Sequence, residues 1–161
     1  LHEMQIVHIT GTLDWEEAAA EAARIPTELV ASYHPYSYLH EEMGAALAAA
    51  DLVVSRAGAS VLGEFPLFGL PAILVPYPFA WRYQKVNADY LVRHQAAVLL
   101  ENEQLASRLL STIQELIRDE ERLSEMGKAM KLLSRPQAAA DIAAALTYLA
   151  AGNRASSGGA A

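Results

Sequence analysis

The sequence predicts an open, doubly wound α/β domain with a helical C-terminus, and three observations carry that prediction. Short apolar runs alternate with helical patterns from residue 4 to residue 100, as repeated β-α units of a parallel sheet do. From residue 103 onward the pattern is helical alone. A length of 161 residues suits one ordinary domain, and 53% hydrophobic against 19% charged residues suits a compact one.

Each element has a local reason. Residues 4–9 are apolar and strand-like, and a loop with Gly11 follows. Asp14 caps a helix reaching residue 24, with Glu16 and Glu17 in its favourable first turn. Residues 28–33 read as the second strand, interrupted by Pro35. A helix over 41–50 leads into a short buried strand at 52–55. The helix over 60–68 stops at Gly69, a residue suited to the position just past a helix end. Residues 71–76 form the fourth strand, 77–82 an aromatic, proline-bearing loop, 84–94 a helix and 97–100 the fifth strand. Helices follow over 103–118, 120–133 and 137–151, with Pro136 at a helix start that tolerates it. Residues 1–152 then make the domain, and the small, polar stretch 153–161 is expected to be a disordered tail.

A net charge of −7 and a pI near 5.2 argue against a non-specific nucleic-acid binder. The lack of cysteine excludes a disulfide scaffold, a thiolate metal site and a cysteine nucleophile, and agrees with a reducing cytoplasm. No apolar run approaches the roughly 20 residues that span a bilayer.

In doubly wound sheets, ligands sit beyond the carboxyl ends of the strands. The loop after the third strand, Arg56-Ala57-Gly58-Ala59-Ser60, joins a buried strand directly to a helix. Its small residues let backbone N–H groups approach a ligand, and the helix start favours an anion such as a diphosphate. The plainer alternative is a tight turn whose glycine only relieves strain. Glu64 lies one turn into the same helix, on the face of Ser60. It is suited either to the helix dipole or to the vicinal hydroxyls of a ribose, since two carboxylate oxygens match a diol. Gln84 and Asn87 share a helix face, and their carboxamides offer the donors and acceptors that sugar hydroxyls require. Taken alone, ordinary helix capping and surface polarity are the favoured reading of the pair.

These pieces occur in an ordered series. The run from Ala50 through Arg56, Gly58, Ala59, Ser60, Val61, Leu62, Gly63 and Glu64, then Gly69-Leu70-Pro71 to Pro76, then Gln84 and Asn87-Ala88, resembles the MurG family. Those are bacterial transferases that move N-acetylglucosamine from its UDP derivative onto lipid I in peptidoglycan synthesis. The resemblance covers residues 6–149 and implies the C-terminal, donor-binding domain of a GT-B glycosyltransferase, Rossmann-like in fold. It implies that the helix start from Ala59 to Glu64 holds the ribose-phosphate portion, with Glu64 on the ribose, and that Gln84 and Asn87 contact the N-acetylglucosamine. Backbone groups near Leu39, in the segment Tyr36-Ser37-Tyr38-Leu39, would read the uracil, and His8 and Gly11 would line the cleft. Arg56 would add positive charge beside the diphosphate or shape the turn by pairing with a carboxylate. No cofactor or metal is implied, and no nucleic-acid partner.

The chain also departs from the family pattern. Val61 stands where threonine is usual, which removes one hydroxyl contact to phosphate, and Tyr83 stands where histidine often precedes the glutamine. The family's first strand and glycine-rich loop, and the N-terminal domain that carries the base, the lipid I site and the membrane contact, are expected ahead of Leu1. A full-length enzyme would sit on the cytoplasmic face of the plasma membrane. Two alternatives stand beside this reading: another GT-B enzyme acting on a UDP-sugar, or a donor-binding module without catalysis of its own. The acidic cluster at Asp14, Glu16 and Glu17 and the trio His34, His40 and Glu41 are read as solvated surface rather than metal ligands.

Overall fold

The structure, a computed structural model, describes residues 4–79 and 83–157. It divides into two compact units, residues 1–50 and residues 51–161.

In the first unit, β1 (Ile6–Ile9) leads through α1 (Trp15–Ala22) and a 3-10 turn (Thr27–Ser32) to β2 (Tyr33–Tyr36), and α2 (Met43–Ala49) follows. β1 and β2 pair in parallel, Ile6 opposite Tyr33 and Ile9 opposite Tyr36. The second strand thus begins where the expected strand, 28–33, would end. The earlier residues coil into the 3-10 turn, although Leu29 and Val30 are apolar residues that a strand would accept. Pro35 lies inside the strand instead of interrupting it. Among the described residues β2 pairs only with β1, and an edge strand tolerates a residue that donates no N–H.

The second unit contains β3 (Val53–Ser55), α3 (Val61–Phe68), β4 (Ala72–Leu74), α4 (Tyr83–Arg93), β5 (Ala97–Leu99) and the helices α5 (Leu105–Arg118), α6 (Glu120–Leu132) and α7 (Ala138–Ser157). Its strands run parallel in the order β3-β4-β5. The α/β class with helical crossovers is therefore as predicted, whereas the expected single sheet is divided by its hydrogen bonds into two. Apolar runs mark strands but do not say which strand lies beside which.

Packing explains the second unit. Ala72, Ile73 and Leu74 are each fully buried, and consecutive strand residues point to opposite faces, so β4 is covered on both. Ile73 and Val75 join Leu100, Leu116 and Met126 in one cluster, with Leu105, Leu109 and Ile113 of α5 packed against it. Those α5 positions recur at the spacing of one helix face. At the end of α3, Gly69 adopts φ +64° as a left-handed cap. A Cβ on Gly69 would lie 3.2 Å from the carbonyl oxygen of Gly127 in α6, so the glycine also permits that approach. Lys131 of α6 donates to the carbonyl of Leu67, one of the acceptors that a helix end leaves open.

α7 runs to Ser157, five residues into the segment expected to be a tail. The helix continues through Gly152 and Asn153 although both have low helix propensity, and the end of that expected tail, residues 158–161, lies outside the described residues. The expected loop over 77–82 is described only to residue 79. No described helix is long and apolar enough to cross a membrane.

Candidate functional site

The turn between β3 and α3 is built as a tight entry into the helix. Val61, Leu62 and Gly63 donate their N–H groups to the carbonyls of Gly58, Ala59 and Ser60, at 3.3, 3.2 and 3.0 Å. Those three-residue steps wind the chain before the regular helix begins. The N–H groups of Gly58, Ala59 and Ser60 have no acceptor among the described residues. Ser60 itself is helical, at φ −60° and ψ −31°, and its hydroxyl makes no cap bond. Unpaired N–H groups at the positive end of a helix form a natural anion cradle.

Gly58 does not relieve strain here. Its φ lies outside the left-handed range, and a Cβ added to it would meet nothing within 4 Å. The same open space surrounds Gly63. Glycine at 58 therefore leaves uncrowded backbone beside the free N–H groups, which the strain account does not explain.

Along α3 the side chains divide. Val61 is 3% exposed and faces the core, so the hydroxyl that threonine would bring belongs to an inward position. Leu62, Gly63 and Glu64 are exposed. The Glu64 side chain has no hydrogen bond or ion pair among the described residues, and its carboxylate is free to accept.

Three side chains hold this turn and the loop after β4. Arg56 donates to Asn102 Oδ1 at 2.8 Å and to the carbonyl of Val75 at 3.3 Å, and its guanidinium lies 5.3 Å from the centre of the Tyr77 ring. Of the two roles expected for Arg56, pairing with a carboxylate is not what the structure has. No carboxylate pairs with it among the described residues, and it braces the loops through neutral partners. Asn87 Nδ2 donates to the carbonyl of Ala57 at 2.9 Å, and Ala57 is fully buried. In a trans peptide the carbonyl and the following N–H point in opposite directions, so this bond also aims the N–H of Gly58 away from Asn87. Gln84 Oε1 accepts the N–H of Tyr77 at 2.8 Å. Each carboxamide thus uses one end on the backbone and keeps the other: the amino group of Gln84 and the oxygen of Asn87.

Beside the turn, Pro76, Tyr77, Pro78, Lys85, Glu101, Asn102 and Glu103 line an open cleft beyond the strand ends. Lys85 bridges Asp89 at 3.0 Å and Glu101 at 3.8 Å. The hydrogen bond to Asp89 raises the Lys85 ammonium above its ordinary pKa, with the charges of Asp89 and Glu101 adding to it and partial burial opposing. Asn102 and Tyr77 were not singled out by the sequence. The loop after β5 was a place to look, because ligands collect beyond strand ends, but nothing in Glu101-Asn102-Glu103 announces a partner 46 residues away.

In the first unit, Leu39 is 7% exposed and sits just after β2. Tyr38 packs its ring against His40, with centroids 4.6 Å apart. His8 shares a 2.7 Å hydrogen bond with the Tyr33 hydroxyl, and Gly11 turns at φ +81°.

Residues 1–142 match the glycosyltransferase family 28 C-terminal domain. The chain is 40% identical over 149 residues to a UDP-N-acetylglucosamine--N-acetylmuramyl-(pentapeptide) pyrophosphoryl-undecaprenol N-acetylglucosamine transferase of Desulforamulus reducens, covering 86% of this chain and 38% of that protein. It is likewise 40% identical to the transferase of the same description from Chlorobaculum parvum, covering 91% of this chain and 39% of the relative. The crystal structure of Acinetobacter baumannii MurG superposes with a TM-score of 0.71 at 26% identity, over 86% of this chain and 39% of that one. The chain thus spans about two fifths of the length of the relatives it matches.

Proposed function

Since the chain belongs to the glycosyltransferase family 28 C-terminal domains, we propose that it is the donor-binding part of an inverting glycosyltransferase. The donor is UDP-N-acetylglucosamine, and the sugar passes to the C4 hydroxyl of the muramic acid in lipid I to give lipid II. The observation that carries this reading is the row of acceptor-free N–H groups at Gly58, Ala59 and Ser60, with the unpaired carboxylate of Glu64 one helical turn on.

The chemistry asked of this chain is binding and charge stabilisation. When the sugar leaves, negative charge develops on the diphosphate, and pre-aimed N–H groups at a helix start stabilise it without reorganising. The Arg56 guanidinium, uncancelled by a carboxylate, adds positive potential at the same rim. Glu64 accepts from the ribose hydroxyls, while the free ends of Gln84 and Asn87 take sugar hydroxyls. In the first unit, backbone groups near Leu39 read the uracil. The lipid I acceptor, the catalytic base and contact with the cytoplasmic membrane face belong to the rest of the full-length enzyme. Alone, the chain binds UDP-sugar weakly and turns nothing over.

Calorimetry with UDP, UDP-N-acetylglucosamine and UDP-glucose tests the reading. Glu64→Ala is expected to weaken UDP binding by roughly 10- to 100-fold, the loss of charge-assisted hydrogen bonds to the ribose. UDP bound equally by both proteins would remove Glu64 from the site.

A further inference from the structure

Arg56 stands at the entrance of the turn, and what holds it is unusual. Arginine beside a cluster of carboxylates ordinarily takes one as its partner, and two flank Asn102 in sequence. Glu101 is occupied elsewhere: its side chain caps the 3-10 turn Asn102–Gln104 and lies 3.8 Å from Lys85. Glu103 forms no ion pair among the described residues. The partner chosen is the neutral carboxamide of Asn102, at 2.8 Å, with the Val75 carbonyl and the Tyr77 ring as further neutral supports. Such partners fix the guanidinium while leaving its charge intact, whereas a carboxylate would fix it and cancel the field.

We propose that Asn102 is a positioning residue of the donor site: through its Oδ1 it anchors Arg56 without neutralising it, so that the 57–60 turn is held in place under a positive field. The inference rests on the nucleotide-sugar reading for its ligand. Its geometry does not depend on that reading. The residue entering the turn is held through its side chain, Arg56 by Asn102, and the next peptide is held at the Ala57 carbonyl by Asn87, which sets the direction of the Gly58 N–H. Asn102 lies after β5, two strands from the turn that it steadies.

Two substitutions separate the anchor from the field. Asn102→Ala removes the acceptor. Asn102→Asp keeps an acceptor oxygen and supplies the missing negative charge. Both are made in the full 161-residue chain. Backbone amide order of residues 56–60 is measured by NMR relaxation without ligand, and UDP and uridine binding are measured by calorimetry. Asn102→Ala is expected to loosen the 56–60 amides on the fast timescale and to weaken UDP binding about tenfold. Asn102→Asp is expected to keep those amides as ordered as in the wild type, yet to weaken UDP binding several-fold while leaving uridine binding unchanged. General damage to the fold would lower both ligands together.

The anchor is refuted if the 56–60 amides of Asn102→Ala stay as ordered as in the wild type. The neutral-partner role is refuted if Asn102→Asp binds UDP as tightly as the wild type or more tightly, or loses uridine in proportion. If the wild type itself gives no UDP binding, the donor reading and the proposed ligand fall together, while amide order still decides whether Asn102 anchors Arg56.

Discussion

Residues 1–50 and 51–161 are written in the same β-α-β grammar, yet they bury their strands very differently. Every residue of β4 is fully buried, and the cluster around Ile73 extends into α5 and α6. All four residues of β1 are exposed, with Val7 half open to solvent, and Leu39 is the only buried residue described in the first unit. An apolar run is enough to make a strand, but a core requires something on both faces. For the site, the consequence is that the Gly58 turn is carried by a well-packed unit, whereas the segment ending at Leu39 is carried by a two-stranded sheet with little beneath it. Local opening follows packing, so the Gly58 turn and the segment ending at Leu39 differ in rigidity, each within its own unit.

The largest expected effect tests that contrast directly. Ile73→Ala and Leu116→Ala should each cost about 2–5 kcal/mol in urea unfolding, because the cavity left in a covered core collapses only in part. Val7→Ala should cost less than about 1 kcal/mol, since an exposed side chain loses little burial. Hydrogen exchange should agree, with β4 amides protected far longer than those of β1. A Val7→Ala penalty equal to that of Ile73→Ala would mean that β1 is covered, and the contrast would fail.

A pair of glycines sharpens the comparison within the second unit. Gly69 holds φ +64° against Gly127, so Gly69→Ala should lose about 1 kcal/mol or more of stability. Gly58 has neither a left-handed φ nor a neighbour within 4 Å of an added Cβ, so Gly58→Ala should unfold at the wild-type urea midpoint or slightly above it. The same Gly58→Ala protein should bind UDP more weakly, because the methyl group occupies space kept for the ligand. Equal UDP affinity would return Gly58 to the status of an ordinary turn residue.

How far the sequence could be read follows from how local each signal is. Gly69 ends α3 as expected because the cap depends on that residue's own backbone. The helical span over 103–118 was legible, and the structure has α5 there, over Leu105–Arg118. β2 was misplaced because strand-like side chains at 28–33 were outweighed by a 3-10 turn, a choice that pairing with β1 decides. For the site, the turn, Glu64 and the two carboxamides could be picked out. What they hold could not: Asn87 reaches Ala57 across 30 residues and Arg56 reaches Asn102 across 46. Such partners are set by strand order, which apolar runs do not encode. The two arrangements expected for Arg56 are both charge-based, whereas the structure holds it through the neutral Asn102.

The smallest expected effect lies on the rim of the same unit. Lys85 joins α4, through Asp89, to Glu101 at the end of β5, and its pKa is raised chiefly by the hydrogen bond to Asp89. A folded pKa above the unfolded one means that the ammonium is favoured in the fold. Its contribution is therefore fully present below the ordinary lysine range and disappears as pH rises through the raised folded value. Both partners are about half exposed, so the contribution should be no more than a few tenths of a kcal/mol at low salt. Lys85→Met should then be slightly less stable than the wild type at neutral pH, with the gap closing above about pH 10 and in roughly 1 M salt. A gap that stayed the same at all pH values would mean that a part of the side chain that does not titrate, and not its charge, accounts for the loss. That result would also weaken the view that this rim is organised electrostatically, with Lys85 occupying Glu101 and leaving Arg56 to its neutral anchor.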